Sequence, residues 1–163
     1  MFLVEKSPAF LYNNGSFIDI NTEDIIMANV KELLKAEENG SLSFGDYSLT
    51  QKTKLDEFSF EGDVYKVKTF QEITRLEKNG GVVYESVPGS AVHGYKETER
   101  QITFETEAAD DLQITLEVEP EKEYKVFVND TNIGKLKSSL GGKISFSIEL
   151  DAGETAKVQV VKL

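Results

Sequence analysis

Glu97 and Glu99 fall at alternate positions beside His93 and Tyr95, and Glu85 follows Tyr84 shortly before a Pro88-Gly89 turn. Paired carboxylates are what a glycosidase needs: one on each side of the scissile bond, roughly 5 to 10 Å apart, with one held protonated by burial. Glu85, Glu97 and Glu99 are therefore the candidate catalytic carboxylates, with His93 or Tyr95 in support, and Tyr84 and Tyr95 are the candidate ligand-binding aromatics. A plainer reading competes with this one. The chain carries 29 acidic residues, so neighbouring glutamates arise without any special purpose, and charged side chains face solvent by default. Tryptophan is absent and the six tyrosines sit mostly in strand-like runs, where core packing accounts for them.

Other chemistries lack their parts. His93 is the only histidine, which excludes a histidine-rich metal site and leaves a Ser-His-Asp triad no second choice. Ser86 and Ser90 flank Pro88-Gly89, but no Gly-X-Ser-X-Gly elbow opens a helix. Cysteine is absent, so thiolate zinc sites, iron-sulfur clusters, disulfides and cysteine nucleophiles are excluded. Asp110-Asp111, Asn129-Asp130 and Asp151 offer hard oxygens, yet none forms the Asp-X-Asp-X-Asp-Gly ladder of a calcium loop, and turn chemistry explains them. Gly141-Gly142 lies between strand-like runs and introduces no helix that could cradle a phosphate. Neither a metal nor a cofactor is expected.

A net charge of −11 over 163 residues opposes nucleic-acid phosphate and anionic lipid. No apolar run approaches the roughly 20 residues of a membrane span, and the N-terminus shows no standard signal peptide. The expectation is a soluble, cytoplasmic protein without nucleic-acid or membrane partners, in which the Asn-X-Ser/Thr patterns at Asn14 and Asn129 are chance.

The elements that would position these residues are read from periodicity. Leu112 to Leu163 contains four runs with apolar residues at every second position: Leu112 to Val118, Tyr124 to Val128, Ile144 to Leu150 and Ala156 to Val160. Period two means half-buried strands. The turn chemistry between them, including all of Asn129 to Gly134, predicts an antiparallel meander. Upstream, Leu42 with Phe44, Tyr47 with Leu49, Leu55 with Phe58 and Phe60, Val64 to Phe70, Val82 to Tyr84, and Ile102 with Phe104 add strand candidates. In the fourth of these segments Tyr65, Val67 and Thr69 take one face and the lysines the wet one. Residues 71–78 fit either a helical turn or a strand, and Asn79-Gly80-Gly81 favours a hairpin. Gly94 argues against a clean strand from Ala91 to Tyr95. Near the N-terminus, Asn13-Asn14-Gly15 suggests a hairpin of Phe10–Tyr12 with Phe17–Ile20. Asn21 or Thr22 then caps a helix whose stripe, Ile26, Val30, Leu33, Leu34 and Glu37, ends at Asn39-Gly40. The fold class expected is all-β, an antiparallel β-sandwich or barrel with one N-terminal helix. Residues 1–26 would form an extension or hairpin, and 27–163 the helix followed by the β domain.

Gly45 to Leu163 resembles a group of small, mostly clostridial bacterial proteins labelled endosialidase. The matching stretches are Gly45-Asp46-Tyr47-Ser48-Leu49, Asp63 to Phe70, Ile73 to Gly80, Tyr84-Glu85-Ser86-Val87-Pro88-Gly89 and Leu140 to Phe146. In that group the chain begins near Met27-Ala28, which makes the first 26 residues look like an extension. The last strands are also similar to β-sandwich modules appended to bacterial polysaccharide-acting enzymes. The resemblance implies a carbohydrate-associated role and assigns no catalytic residue. Two functions follow. One is a non-catalytic β module or assembly subunit that binds a glycan or protein partner, with homo-oligomerisation through the N-terminal extension or helix. The other is a glycan-acting hydrolase using Glu85, Glu97 and Glu99.

Overall fold

Hairpin turns set the registers from which the fold is built. Glu61-Gly62, Asn79-Gly80 and Asn129-Asp130 each place two successive residues at positive φ, the backbone twist that joins adjacent antiparallel strands in a two-residue loop. The computed structural model describes residues 32–163, and the unit described here is Leu33–Leu163. Among the described residues there are thirteen strands. They are β1 (Leu34–Ala36), β2 (Leu42–Phe44), β3 (Thr53–Phe60), β4 (Asp63–Phe70), β5 (Ile73–Lys78), β6 (Gly81–Val87) and β7 (Ala91–Glu97). The remainder are β8 (Gln101–Glu107), β9 (Leu112–Glu117), β10 (Glu123–Val128), β11 (Thr131–Lys137), β12 (Lys143–Ile148) and β13 (Thr155–Lys162).

These strands form two antiparallel sheets. One has the order β1-β2-β7-β8-β13-β10-β11 and the other β12-β9-β6-β5-β4-β3. The sheets meet face to face in a sandwich-like arrangement. Phe44 and Phe104 of the first sheet contact Tyr84 of the second edge to face, with ring centroids 5.3 and 5.5 Å apart, the preferred geometry for aromatic pairs. Around them Val67, Leu76, Ile114 and Leu116 are fully buried against Val92, Val126 and Val158. Strand alternation produces this core directly: in β4 the buried residues are Tyr65, Val67 and Thr69, with Lys66 and Lys68 on the other face.

Several expectations are corrected. The chain is all-β over the described residues, but the four C-terminal runs do not form a meander. β9 pairs with β12 in one sheet and β10 with β13 in the other, so the chain crosses between sheets after β9, after β11 and after β12. Asn129-Asp130 suffices as the turn, and the residues after it form β11, a strand exposed along nearly its whole length, which therefore shows no apolar alternation. Leu33 and Leu34, expected at the end of a helix, precede and begin β1, whose Leu34 is paired with Phe44. The start of that helix, the Phe10–Ile20 hairpin and the 1–26 extension lie outside the described residues. Tyr47 and Leu49 form no strand, whereas Ala91–Glu97 is one despite Gly94. A register shift between His93 and Lys96 absorbs the glycine, which takes φ +68°.

Candidate functional site

The candidate glutamates and His93 occupy three separate places. Glu85 lies on the outer face of β6 directly opposite Arg75 of β5, and the guanidinium donates to Glu85 Oε2 from Nε at 2.8 Å and from the terminal nitrogen at 2.5 Å. His93 projects from β7 with its Nε2 3.5 Å from Glu107 Oε1. Glu107 also accepts the Tyr47 hydroxyl at 2.9 Å. Burial, together with this hydrogen bond and the Glu107 charge, pushes the Tyr47 phenol up to about 12. Glu97 and Glu99 do come together: with Glu117 and Glu119 they line a cleft of about 390 Å³ at one end of the two sheets.

Within that cleft the carboxylates differ. Glu97 is opposite Ile102 in register, so it stands on the core side of its sheet at the strand end. There, loss of hydration raises its pKa, Lys78 opposes the rise, and Glu117 and Asp63 add to it. Its solvent access and its desolvation are compatible, because atoms of both sheets surround a carboxyl that still opens to water. Glu119 is exposed and held low by Lys162, which lies 2.9 Å away. Among the described residues no group of three or more acidic or histidine side chains is arranged to hold a metal ion.

Tyr84 and Tyr95 are not ligand platforms, because both are core residues, 0% and 5% exposed. Tyr84 instead terminates a network of hydroxyls under the Pro88 turn. Ser86 Oγ donates to the Pro88 carbonyl at 2.9 Å and lies 2.7 Å from Ser90 Oγ, which is 2.8 Å from the Tyr84 hydroxyl. Since Ser86 has committed its proton, Ser90 donates to Ser86 and Tyr84 donates to Ser90. A second branch runs through Thr74, whose Oγ1 donates to the Ser90 carbonyl at 2.8 Å and accepts the Ser90 N–H at 2.9 Å. Thr69 Oγ1, 2.8 Å from Thr74 Oγ1, accepts the Asp46 N–H. These serines and threonines therefore serve as buried hydrogen-bonding structure, and among the described residues no base hydrogen-bonds to Ser86 or Ser90.

The outer face of the six-stranded sheet carries the arrangement that was not foreseen. Register places Lys54 opposite Lys68, Lys68 opposite Arg75, Arg75 opposite Glu85, Glu85 opposite Thr115 and Thr115 opposite Ser145. One polar row thus crosses β3, β4, β5, β6, β9 and β12. Its first half is cationic, flanked by Lys66 and by Lys52, whose Nζ stands 6.0 Å from the Phe70 ring centroid. Beyond Glu85, whose carboxylate pairs with Arg75, the rest of the row is neutral. Thr115 and Ser145 share a hydrogen bond of 2.8 Å, and beside them Ser147 donates to Gln113 at 2.8 Å. Lys68 loses hydration and faces Arg75, Lys52, Lys54 and Lys66, which together lower its pKa. Like charges directly opposite in a sheet are destabilising, so this row costs the fold stability.

A signal for the row was present in the sequence. Leu55 and Phe58 are three residues apart, out of phase for one strand, and the chain resolves this with a register shift between them and Glu57 at φ +57°. Without that shift Lys54 would lie opposite Thr69 and point into the core. No helix among the described residues is long and apolar enough to cross a membrane. No family model, curated protein or solved structure matches this chain.

Proposed function

We propose that this protein is a non-catalytic binding module that takes an acidic glycan on the outer face of its six-stranded sheet. The observation that carries this reading is the row from Lys54 to Ser145, in which three cations stand side by side in a chain of net charge −11. Among the described residues Lys54 and Lys68 have no ion-pair partner, while Arg75 is held by Glu85 and Lys66 lies 3.8 Å from Asp56. An anionic ligand relieves the repulsion that the folded chain otherwise retains. Adjacent row positions are one strand spacing apart, about 4.8 Å. That suits a chain with one acid group per sugar better than duplex DNA, which presents a charge about every 1.7 Å and is repelled by the rest of the surface. Hydroxyls and an amide at Thr115, Ser145, Ser147 and Gln113 offer the neutral hydrogen-bonding groups that sugar hydroxyls need. The resemblance of Gly45–Leu163 to the endosialidase-labelled group supports the carbohydrate context.

Screening the full chain against neutral, carboxylated and sulfated polysaccharides tests the proposal. Binding confined to acidic chains supports it, and equal binding to neutral chains, or none at all, contradicts it.

A second reading rests on Glu97, whose raised pKa inside the cleft shared with Glu99 suits a general acid. It requires release of reducing ends from a polysaccharide and their loss in Glu97→Gln. If wild-type protein releases none, this hydrolase reading fails.

A further inference from the structure

The four edge strands among the described residues are β1, β11, β12 and β3, and an open edge invites pairing unless something blunts it. Three are blunted. β1 has only three residues. β3 carries the register shift at Leu55/Phe58, the left-handed Glu57 and outward Lys54 and Asp56. β11 sits opposite a register shift between Val126 and Phe127, and contains Gly134 with Lys135 and Lys137.

β12 has no register shift, and its one charge is Lys143 at its first position. Its six residues pair with β9 in unbroken register from Lys143 to Ile148, without proline or glycine. Beside it, a cavity of about 570 Å³ separates it from β11, lined by Val126, Ile133, Leu136, Phe146 and Ile148 among others. Ile133 is 46% exposed at this opening. The side of the two sheets bounded by β11 and β12 is thus apolar and, among the described residues, edged by unpaired backbone.

The sequence of this edge indicates what covers it. Lys143-Ile144-Ser145-Phe146-Ser147-Ile148-Glu149 reads as its own complement about Phe146. We infer that β12 pairs antiparallel with β12 of a second copy of this chain, joining the two six-stranded sheets across a two-fold axis at Phe146. In that register Ile144 meets Ile148, Phe146 meets Phe146 and Ser145 meets Ser147. At each end Lys143 meets Glu149, so the interface is isologous and its charges are complementary. Residue parity agrees with the observed burial: Ile144, Phe146 and Ile148 face the core, whereas Ser145, Ser147 and Glu149 are exposed. The incoming Phe146 and Ile148 close the apolar opening against Ile133 and Leu136. The polar row described above then continues from Ser145 onto the second copy, doubling the platform. In the single chain the Lys143 ammonium turns inward to the Val82 carbonyl, 2.7 Å away; in the pair it swings outward to Glu149 of the second copy.

Sedimentation and light scattering of the full chain test the pairing. Wild type is expected at dimer mass, with association strengthening as salt screens the repulsion between two chains of net charge −11. Glu149→Lys, at an exposed position, is expected at monomer mass with unchanged thermal unfolding below the dissociation concentration. Lys143→Glu combined with Glu149→Lys is expected to restore the dimer. Since Lys143 also holds the Val82 carbonyl, a second measurement avoids it. An oxidised mixture of Ser145→Cys and Ser147→Cys chains is expected to yield a mixed disulfide, because directly opposed residues meet the required separation of roughly 4.4 to 6.8 Å. Monomeric wild type at all concentrations, a Glu149→Lys chain as dimeric as wild type, or no excess of the mixed disulfide over either single variant overturns the inference.

Discussion

Replacing Thr74 by valine deletes one oxygen at a site with no solvent access, and the hydrogen-bond directions determine what is lost. Thr74 Oγ1 is the acceptor for the Ser90 N–H and the neighbour of Thr69 Oγ1, and its own proton serves the Ser90 carbonyl. Thr69 already accepts from the Asp46 N–H, so its hydroxyl proton has only Thr74 to go to. Thr74→Val therefore strands two donors, Ser90 N–H and Thr69 O–H, among groups that are 0% exposed. Each unpaired buried donor costs about 1–3 kcal/mol, which gives a total of about 2–6 kcal/mol, a large share of a usual stability of about 5–15 kcal/mol. Thr74→Ser keeps the oxygen and removes one methyl, a loss of about 1 kcal/mol. Urea unfolding followed by circular dichroism should show the midpoint falling markedly further for valine than for serine, with the slope unchanged. A valine variant as stable as the serine variant, or more stable, would refute the view that this network holds the Asp46 and Ser90 loops to β4 and β5.

Glycine positions provide a second contrast. A Cβ at Gly45 would lie 2.4 Å from the Ser90 carbonyl oxygen, whereas one at Gly62 meets nothing within 4 Å, and both residues have positive φ, +94° and +85°. Gly62→Ala should cost only the left-handed strain of about 1 kcal/mol, and Gly45→Ala at least about 1–3 kcal/mol more from overpacking; equal costs by chemical denaturation would contradict the close approach of these loops. Tyr47 supplies a pH effect. Its folded pKa of about 12 exceeds the usual 10.0, so the folded state holds the proton more tightly, and this contribution to stability is complete below pH 10 and lost as pH rises towards 12. Burial also raises Tyr65, Tyr84 and Tyr95, so titration by ultraviolet absorbance should show several late phenols, one fewer in Tyr47→Phe, and an unchanged late amplitude would reassign the shift.

The core was legible because strand alternation carries it: Tyr65, Val67 and Thr69 announce the buried face of β4, and Asn79-Gly80 announces the turn into β6. The pairing was not legible, since β9 and β10 are equally good apolar strands and only long-range packing sends them to different sheets. β11 escaped notice because an exposed edge strand buries too little to show a period. The candidate site followed the same division. Glu97 and Glu99 share a cleft as their spacing suggested, but Glu85 belongs to the opposite sheet and is engaged by Arg75. Tyr84 and Tyr95 are occupied by the core. The cationic row was hidden because each of its members comes from a different strand, and because a single register shift decides whether Lys54 points outwards.

On the proposed reading, Lys54 and Lys68 meet an acidic glycan. Isothermal titration of the full chain with a carboxylated polysaccharide, comparing wild type with Lys54→Glu/Lys68→Glu, tests it most directly. Both residues lie on an outer face, so the fold should survive the change. If each contact contributes about 1 kcal/mol, and a tenfold change in affinity corresponds to about 1.4 kcal/mol, binding should weaken at least tenfold in the variant and weaken in wild type as salt is raised. Affinity unchanged by the double reversal, or insensitive to salt, would contradict the assignment of this face as the binding surface.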